Sequence, residues 1–257
     1  MKKPFVSDKL AKHRKAQSRL RKIFAIAVLV IVLASAGYFI YANRFQIQGI
    51  EVTGTQAVSS DTVVASVDAL ISGKILYVFP KGNIFLYSKP KLKASLARAY
   101  PRLDDIAIQI QNKKLLIAVT ERDPAYLWCG ESIPQTRQAS FESTCYFVDA
   151  SGYIFSLAPQ FSDAVYSRIY TTLPDIANPI SQYAMTGTVL ARVATFAKQI
   201  TNATFKPSAF SITPDGDALI FLYRDSDSSP VIRYNPLHDP LTVFAQFKSA
   251  IATEPLK

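Results

Sequence analysis

The stretch that decides the fold is IFAIAVLVIVLASAGYFIY, residues 23–41, which contains no charged residue. At about 1.5 Å of rise per residue, a helix of this length spans a hydrocarbon core of roughly 30 Å. A core helix of a soluble domain would show a polar stripe, and this stretch shows none. A cleaved signal peptide would have a shorter apolar region, whereas the apolar run continues past the small residues 34–36 to Tyr41. We therefore expect one uncleaved transmembrane helix over residues 23–41.

Positive charge is concentrated before this helix. The chain has a net charge of +10; residues 1–22 hold nine basic residues against Asp8, while the residues after Arg44 hold 19 basic and 18 acidic ones. Because basic residues flank transmembrane helices on the cytoplasmic side, we expect residues 1–22 to be a cytoplasmic tail, disordered or weakly helical, and residues 45–257 to lie outside. Binding of anionic lipid or nucleic acid is the alternative use of the tail. Its basic run lacks the interleaved aromatic residues of single-strand binders, so we predict no nucleic-acid partner.

Residues 45–123 follow the order strand, helix, helix, strand, strand. The hairpin is clearest, because isoleucine, leucine and valine alternate with more polar residues on both arms around a turn at residues 112–114. The apolar runs on either side of a turn at residues 80–83 fit either short strands or a packed loop. Both helices would cover one face of a small sheet. The expected elements are a strand over 45–54 bulged near Gly49, a helix over 59–73, a helix over 88–100, and hairpin arms over 106–111 and 115–120.

Residues 124–257 predict a second domain of mixed α+β structure, rich in strands. Strand runs over 125–129 and 145–157 flank a polar loop, and the second run is divided by a turn at residues 149–152. Residues 158–187 are expected to be irregular because of their prolines. A helix over 189–200 shows one apolar stripe, and Asp239-Pro240 is expected to cap a last helix. Further strands are expected over 208–213, 218–224 and 230–234. The inward side chains expected on the last helix are Leu241, Phe244, Phe247 and Ile251.

The chain has two cysteines, Cys129 and Cys145, both on the expected outer side, where disulfides persist. If the strands that carry them pair as a hairpin, the two lie at its open loop end, within disulfide reach. Closing a loop of about 15 residues would stabilise the fold by roughly 3 kcal/mol. We favour the bridge; two free thiols are the alternative. With only His13 and His238 to add as ligands, we predict no metal site.

Taken together, a basic tail, one anchor and this module resemble the bacterial cell division protein family FtsQ/DivIB, whose extracytoplasmic module is a POTRA domain. The most specific match is TERDPAYLW, residues 120–128, which resembles the family signature through Glu121, Arg122, Pro124, Ala125 and Trp128. The other matching stretches are IEVTG at 50–54, FVDASGYIF at 147–155, and Leu173-Pro174.

The resemblance implies a single-pass protein of the inner cell membrane, gathered at the septum, that binds FtsB- and FtsL-like division proteins. Because Pro124 cannot donate to a strand ladder, we interpret residues 121–128 as a joint where the chain leaves one sheet and starts another. Glu121 and Arg122 are expected to form a local ion pair without catalytic function. The family commonly docks partners on a strand beyond the last helix. This chain stops at Lys257, so strand addition would use another edge, for example Val231, Ile232, Arg233 and Tyr234.

A direct search for catalytic patterns favours a protein that is not an enzyme. Ser88 and Lys91 match the S-x-x-K pattern of penicillin-binding enzymes, but Pro90 lies between them and the accompanying elements are missing. Four aspartates near turns leave calcium binding as a minor alternative. We predict no catalytic, cofactor-binding or metal-binding residue and no small-molecule substrate. The alternative function is a POTRA-bearing membrane protein for secretion or envelope assembly. The four aspartates are Asp215, Asp217, Asp225 and Asp227.

Overall fold

The computed structural model describes residues 8–41, 45–75, 79–133, 143–161, 165–202, 206–222 and 231–253. Over these residues the chain is mixed α+β with five helices, which confirms the mixed α+β part of the predicted fold class. It divides into two compact units. The first comprises Met1–Leu96 with Ile106–Val119, and the second comprises Ala97–Asp105 with Thr120–Lys257.

Helix α1 is the apolar helix, and it is longer than expected. It runs from Asp8 to Tyr41, so it begins well before Ile23 and includes most of the basic tail. Of the two states expected for the tail, disordered or weakly helical, residues 8–22 have the helical one. Lysine, arginine, glutamine, leucine and alanine are good helix formers, and neither proline nor glycine occurs between Asp8 and Ala36 to stop the helix. The part from Arg19 to Tyr38 is long and apolar enough to cross a membrane.

The first unit contains a three-stranded sheet in the order β1-β5-β4. The predicted order of elements is observed. Strand β1 pairs in parallel with β5, from Gly49 opposite Lys114 to Thr53 opposite Ala118. Residues 45–48 precede the strand rather than belonging to it. The bounds are β1 Gly49–Thr53, α2 Ser60–Ile71, α3 Lys89–Ala99, β4 Leu103–Gln111 and β5 Lys114–Glu121.

The hairpin of β4 and β5 follows its sequence pattern. Its turn residues Asn112 and Lys113 have φ of 49° and 63°, the left-handed values that a tight two-residue hairpin turn requires. Alternate residues of both strands are buried, as are two residues on each of the helices α2 and α3. The core of this unit therefore lies between the helices and one face of the sheet. The buried residues are Val63, Val67, Leu92, Leu96, Ile106, Ile108, Leu115, Ile117 and Val119.

The region between the two helices contains short strands, one of the two predicted forms, but the turn lies elsewhere than predicted. Strand β2 (Lys74–Ile75) pairs antiparallel with β3 (Phe79–Pro80), so Pro80 lies in a strand, and the chain between the two strands lies outside the described residues. The expected turn at residues 80–83 instead belongs to a longer segment of turns over residues 81–86. Asn83 in this segment is fully buried and forms a bridge with Gln46. Asn83 is therefore a buried polar residue held by local bonds, and the periodicity of apolar residues does not predict such a residue.

The second unit contains a seven-stranded sheet in the order β12-β11-β10-β9-β6-β7-β8. Strand β9 was missed, because residues 158–187 were expected to be irregular. It has three residues, too few to show a period, yet it pairs in parallel with both β6 and β10 near the middle of the sheet. The bounds are β6 Tyr126–Trp128, β7 Tyr146–Val148, β8 Ile154–Leu157, β9 Arg168–Tyr170, β10 Pro207–Ile212, β11 Ala218–Leu222 and β12 Val231–Tyr234.

Two helices complete this unit, α4 (Gly187–Asn202) and α5 (Pro240–Thr253). The predicted apolar stripe of α4 is buried in the main core. On α5 the prediction was partly wrong: Val243 is buried, whereas Leu241 is 65% exposed. The side chain of Ile251 lies outside the described part of the chain. The predicted cap is present, because a carboxylate oxygen of Asp239 accepts hydrogen bonds from the backbone N–H and the hydroxyl of Thr242.

Candidate functional site

The strand expected to dock partners, β12, lies at an edge of the seven-stranded sheet. It pairs antiparallel with β11 from Val231 opposite Phe221 to Tyr234 opposite Ala218. Among the described residues, no strand pairs with its other side. Along an edge strand, the backbone N–H and C=O groups of successive residues point alternately to one side and the other. The unpaired side of β12 therefore carries backbone donors and acceptors that are available to a further strand.

The inward face of β12 is fixed by the core. Ile232 and Tyr234 pack against the core cluster of the second unit, and the Tyr234 ring lies 4.6 Å from the Phe196 ring, centroid to centroid. Burial raises the pKa of the Tyr234 hydroxyl above its usual value. Aromatic packing therefore holds one face of the edge strand in place, and the Tyr234 hydroxyl on that face stays uncharged.

The outward face of β12 carries Val231 and Arg233, both exposed. The Arg233 guanidinium lies 2.7 Å from a carboxylate oxygen of Asp217 and 3.6 Å from one of Asp215. These ion pairs are solvent-exposed and contribute little stability, but they hold the arginine along the sheet. They also give an arginine partner to two of the four aspartates for which calcium binding was the minor alternative; Asp225 and Asp227 lie outside the described residues.

Exposed leucines follow the edge strand in the chain. Leu237 is 73% and Leu241 65% exposed. The turn that carries Leu237 is held by Arg192 of α4, whose guanidinium donates a hydrogen bond to the Leu237 carbonyl oxygen at 2.6 Å. An open backbone edge thus lies beside a short, fixed run of exposed apolar side chains.

The opposite edge of the sheet is covered at the start of its strand, β8. Strand β8 forms backbone hydrogen bonds with residues 181–182, since Ile154 donates to the Gln182 carbonyl at 2.8 Å and accepts from the Ser181 N–H at 2.8 Å. Tyr153 also forms an antiparallel bridge with Tyr183. This contrast favours β12 over β8 as the docking edge.

The joint segment lies where the chain passes from β5 of the first sheet to β6 of the second. Residues 122–125 belong to neither ladder, as Pro124 predicts. The segment is then tied to the second sheet, because the Ala125 N–H donates to the Val148 carbonyl at 2.9 Å. The buried Trp128 donates from its indole nitrogen to the Thr171 carbonyl at 3.0 Å. These two residues of the family-like motif therefore have structural explanations.

Arg122 is the centre of an ion-pair network. Its guanidinium lies 2.6 Å from Asp149 and 2.8 Å from Asp104, and donates to the Pro101 carbonyl oxygen at 3.2 Å. The group also lies over the Tyr153 ring, 4.5 Å from its centroid. Arg122 therefore joins chain segments far apart in sequence, so its carboxylate partners are not the local one expected for this residue.

Asp149 receives most of the hydrogen bonds in this network. Its side chain is 11% exposed. One carboxylate oxygen accepts from the Ser151 N–H at 2.8 Å, the Ser151 hydroxyl at 2.6 Å and the Tyr153 N–H at 3.0 Å. Burial alone would raise the pKa of Asp149, but the hydrogen bonds from Ser151, Tyr153 and Arg122 together lower it below its usual value. The carboxylate is thus held charged as the partner of Arg122.

Glu121 has a long-range partner of its own. Its carboxylate lies 2.9 Å from the Arg102 guanidinium, and its side chain is only 7% exposed. Arg102 also lies over the Phe155 ring, 5.5 Å from the centroid. Both charged residues of the E-R-x-P core therefore have structural roles through long-range ion pairs. Their partners could not be identified from the sequence.

Cys129 and Cys145 are joined by a disulfide, as predicted, with their Cα atoms 4.3 Å apart. Strands β6 and β7 pair as the expected hairpin, with Trp128 opposite Tyr146, so the bridge closes the loop directly beyond the last strand pair. Both cysteines belong to a small core cluster with Leu127, Tyr170 and Ala209.

Within the described ranges, no group of three or more His, Cys, Asp or Glu residues is placed to hold a metal ion. His238 is exposed and lies in the turn before α5. Ser88 precedes α3, where its carbonyl accepts a hydrogen bond from the Leu92 N–H at 2.9 Å, as a residue that starts a helix does. No family model matches the chain, and no curated protein matches it.

Proposed function

We propose that this chain is a non-enzymatic, single-pass scaffold of the bacterial division machinery. It would link cytoplasmic and extracytoplasmic division proteins at the septum, with its N-terminus in the cytoplasm and residues 45–257 outside the inner membrane. The observation that carries the proposal is the open edge β12, in a unit on the same chain as a helix that could cross a membrane. The resemblance of residues 120–128 to the FtsQ/DivIB signature supplies the biological setting.

Docking would occur by strand addition. An extended segment of an FtsB- or FtsL-like partner would bond to the free backbone side of β12, while its alternate side chains extend the two faces of the sheet. Leu237 and Leu241 would add apolar contacts beside the strand, where both are exposed. Such a mode needs no reactive group, so the proposal assigns no catalytic role to any residue.

A POTRA-bearing protein for secretion or envelope assembly is the second candidate. It is supported by the order strand, helix, helix, strand, strand in the first unit. The two candidates differ in where the protein gathers and in what its loss does. A division scaffold gathers at the septum and its depletion gives filaments or undivided chains, whereas an assembly protein distributes over the envelope.

Site-specific crosslinking tests the docking edge in cells. A photoreactive amino acid replaces Val231 on β12 in one full-length variant and Leu157 on β8 in a matched control; both side chains are exposed, at 47% and 58%. We expect crosslinks to other division proteins from position 231 and few from position 157. Equal crosslinking at the two positions would reject β12 as the docking edge. Uniform membrane labelling with normal division after depletion would reject the scaffold role itself.

A further inference from the structure

The segment after α2 has an unusual charge. Residues 69–96 contain five lysines and no aspartate or glutamate, whereas the remainder of residues 45–257 holds 14 basic and 18 acidic residues. All five lysines are exposed: Lys74, Lys81, Lys89, Lys91 and Lys93. A cluster of exposed lysines in a part of the chain that is otherwise slightly acidic favours contact with an anionic surface.

An exposed aromatic ring lies within the same segment. Phe85 is 70% exposed, and its ring lies 5.4 Å from the Phe45 ring, centroid to centroid. The ring is carried by a well-bonded turn, because the Phe85 N–H donates to the side-chain oxygen of the fully buried Asn83 at 2.9 Å. Phe85 is therefore a large apolar side chain that is fixed in position and exposed, like the phenylalanines that peripheral segments bury in the membrane interface.

The turn is tied to the chain that leaves α1. The Ile84 N–H donates to the Phe45 carbonyl at 2.9 Å, and the Ile47 N–H donates to the Gly82 carbonyl at 2.9 Å. Phe45 follows the last residue of α1, Tyr41, by four residues, which span at most about 14 Å. In addition, Cα atoms of α1 lie within 8 Å of Cα atoms of β3. Phe85, Lys81 of the same segment and Lys74, which pairs with Pro80, are therefore close to the point where α1 would leave a membrane, and Lys89 and Lys91 follow them in the chain.

We propose that Phe85 with Lys74, Lys81, Lys89 and Lys91 forms a membrane seat, a surface that rests on the leaflet from which α1 emerges. The phenylalanine ring enters the interfacial region, where aromatic side chains are enriched, and the lysines contact anionic phospholipid headgroups. The seat rests on the membrane anchoring proposed above, and on no other part of the proposed function. It would fix the height and orientation of the first unit on the membrane.

Fluorescence quenching of the full-length chain in vesicles tests the seat. The variants F85W and T53W each introduce one indole at an exposed position of the first unit, and Thr53 lies at the far end of β1, about 13 Å along the strand from Gly49. Emission from the buried Trp128 is subtracted with the wild-type chain. In vesicles with brominated acyl chains we expect strong quenching for F85W, increased by phosphatidylglycerol over phosphatidylcholine alone, and little quenching for T53W.

Charge reversal tests the lysines. K81E, K89E and K91E are combined in F85W and compared with a control that reverses the exposed lysines 198, 206 and 248. Each lost lysine should weaken the binding of the membrane seat to anionic phospholipid about fivefold. We therefore expect the first triple variant to lose the phosphatidylglycerol effect and the control, with the same net charge, to keep it.

Alkaline extraction separates the seat from the anchor. A chain that resists extraction, but in which F85W and T53W are quenched equally, would overturn the seat and leave the anchor standing. Release of the chain by alkali would overturn both. Equal loss of the phosphatidylglycerol effect in the two triple variants would overturn the assignment of the lysines, because total charge alone would then explain it.

Discussion

Replacing Asp149 with asparagine removes the buried carboxylate that Arg122 requires, while keeping the size of the side chain. The amide oxygen can still accept hydrogen bonds from Ser151 and Tyr153, but the amide nitrogen then faces the guanidinium in place of an oxygen 2.6 Å away. One charge-assisted hydrogen bond is lost, and two donors oppose each other in a site where the Arg122 side chain is 19% exposed. We expect D149N to lower the free energy of unfolding by about 2 to 3 kcal/mol.

The matched control is D104N. Asp104 contacts the same guanidinium at 2.8 Å, but its side chain is 56% exposed. Solvent screens such a pair, so its loss should cost at most about 1 kcal/mol. Each of the two variants therefore removes one negative charge next to Arg122. They differ mainly in how deeply that charge is buried.

Urea unfolding of the full-length chain in detergent micelles measures the difference. The single tryptophan, Trp128, is 3% exposed and reports on the second unit through its emission. With a denaturant slope of about 1–3 kcal/mol per molar, D149N should lower the midpoint by roughly 1–2 M and D104N by a fraction of that. Equal midpoint shifts for the two variants would refute the claim that burial makes the Asp149 contact the stronger one.

The pH dependence has a defined sign. Because the folded pKa of Asp149 is below its usual value of 3.8, its stabilising effect is complete above that value and is lost as the pH falls through the folded pKa. The wild-type chain and D149N should therefore differ most near neutral pH and converge as the pH falls below about 4. A difference that stays constant down to pH 2 would show that Asp149 does not act through its charge.

Two further perturbations test the second unit by the same unfolding measurement. G152A should destabilise it by about 3 kcal/mol, because Gly152 has a φ of 90° and an added Cβ would lie 2.1 Å from the Met185 carbonyl oxygen. The control G216A has a similar φ of 87° but lies in open space, so it should cost only about 1 kcal/mol. Equal losses of stability in the two variants would contradict the clash. Replacing Cys129 and Cys145 with serine should cost about 3 kcal/mol of stability, because the bridge spans 16 residues. Reductant should lower the urea midpoint of the wild-type chain to that of the serine variant. If reductant also lowers the midpoint of the serine variant, the effect of reductant does not come from this disulfide.

Elements with a strong local period could be predicted from the sequence. The hairpin of β4 and β5, the apolar stripe of α4 and the Asp239 cap of α5 follow patterns of two to four residues, and all three are present. The exit of the chain from the first sheet was also predictable, because the missing N–H of Pro124 is a local property. These features depend on neighbours in the sequence and on little else.

Features set by distant contacts could not be predicted. Strand β9 has three residues and owes its structure to β6 and β10 on either side. The long-range partners of Glu121 and Arg122 are carried by segments 19 and 27 residues away. The early start of α1 was missed for a different reason: charge patterning indicates topology, but helix propensity determines where a helix begins.

The open edge β12 must avoid non-specific pairing if it is to serve a partner. Two of its features do this: the strand is only four residues long, and Arg233 projects from its exposed face. Neither feature blocks a matched partner, because the Asp217 carboxylate already holds the arginine along the sheet at 2.7 Å, away from an incoming backbone. A partner strand gains only a few backbone hydrogen bonds from so short an edge, so its affinity would depend on side-chain contacts with Val231, Leu237 and Leu241. Specificity on this edge would therefore come from an apolar side chain of the partner, with the backbone fixing only its direction and register.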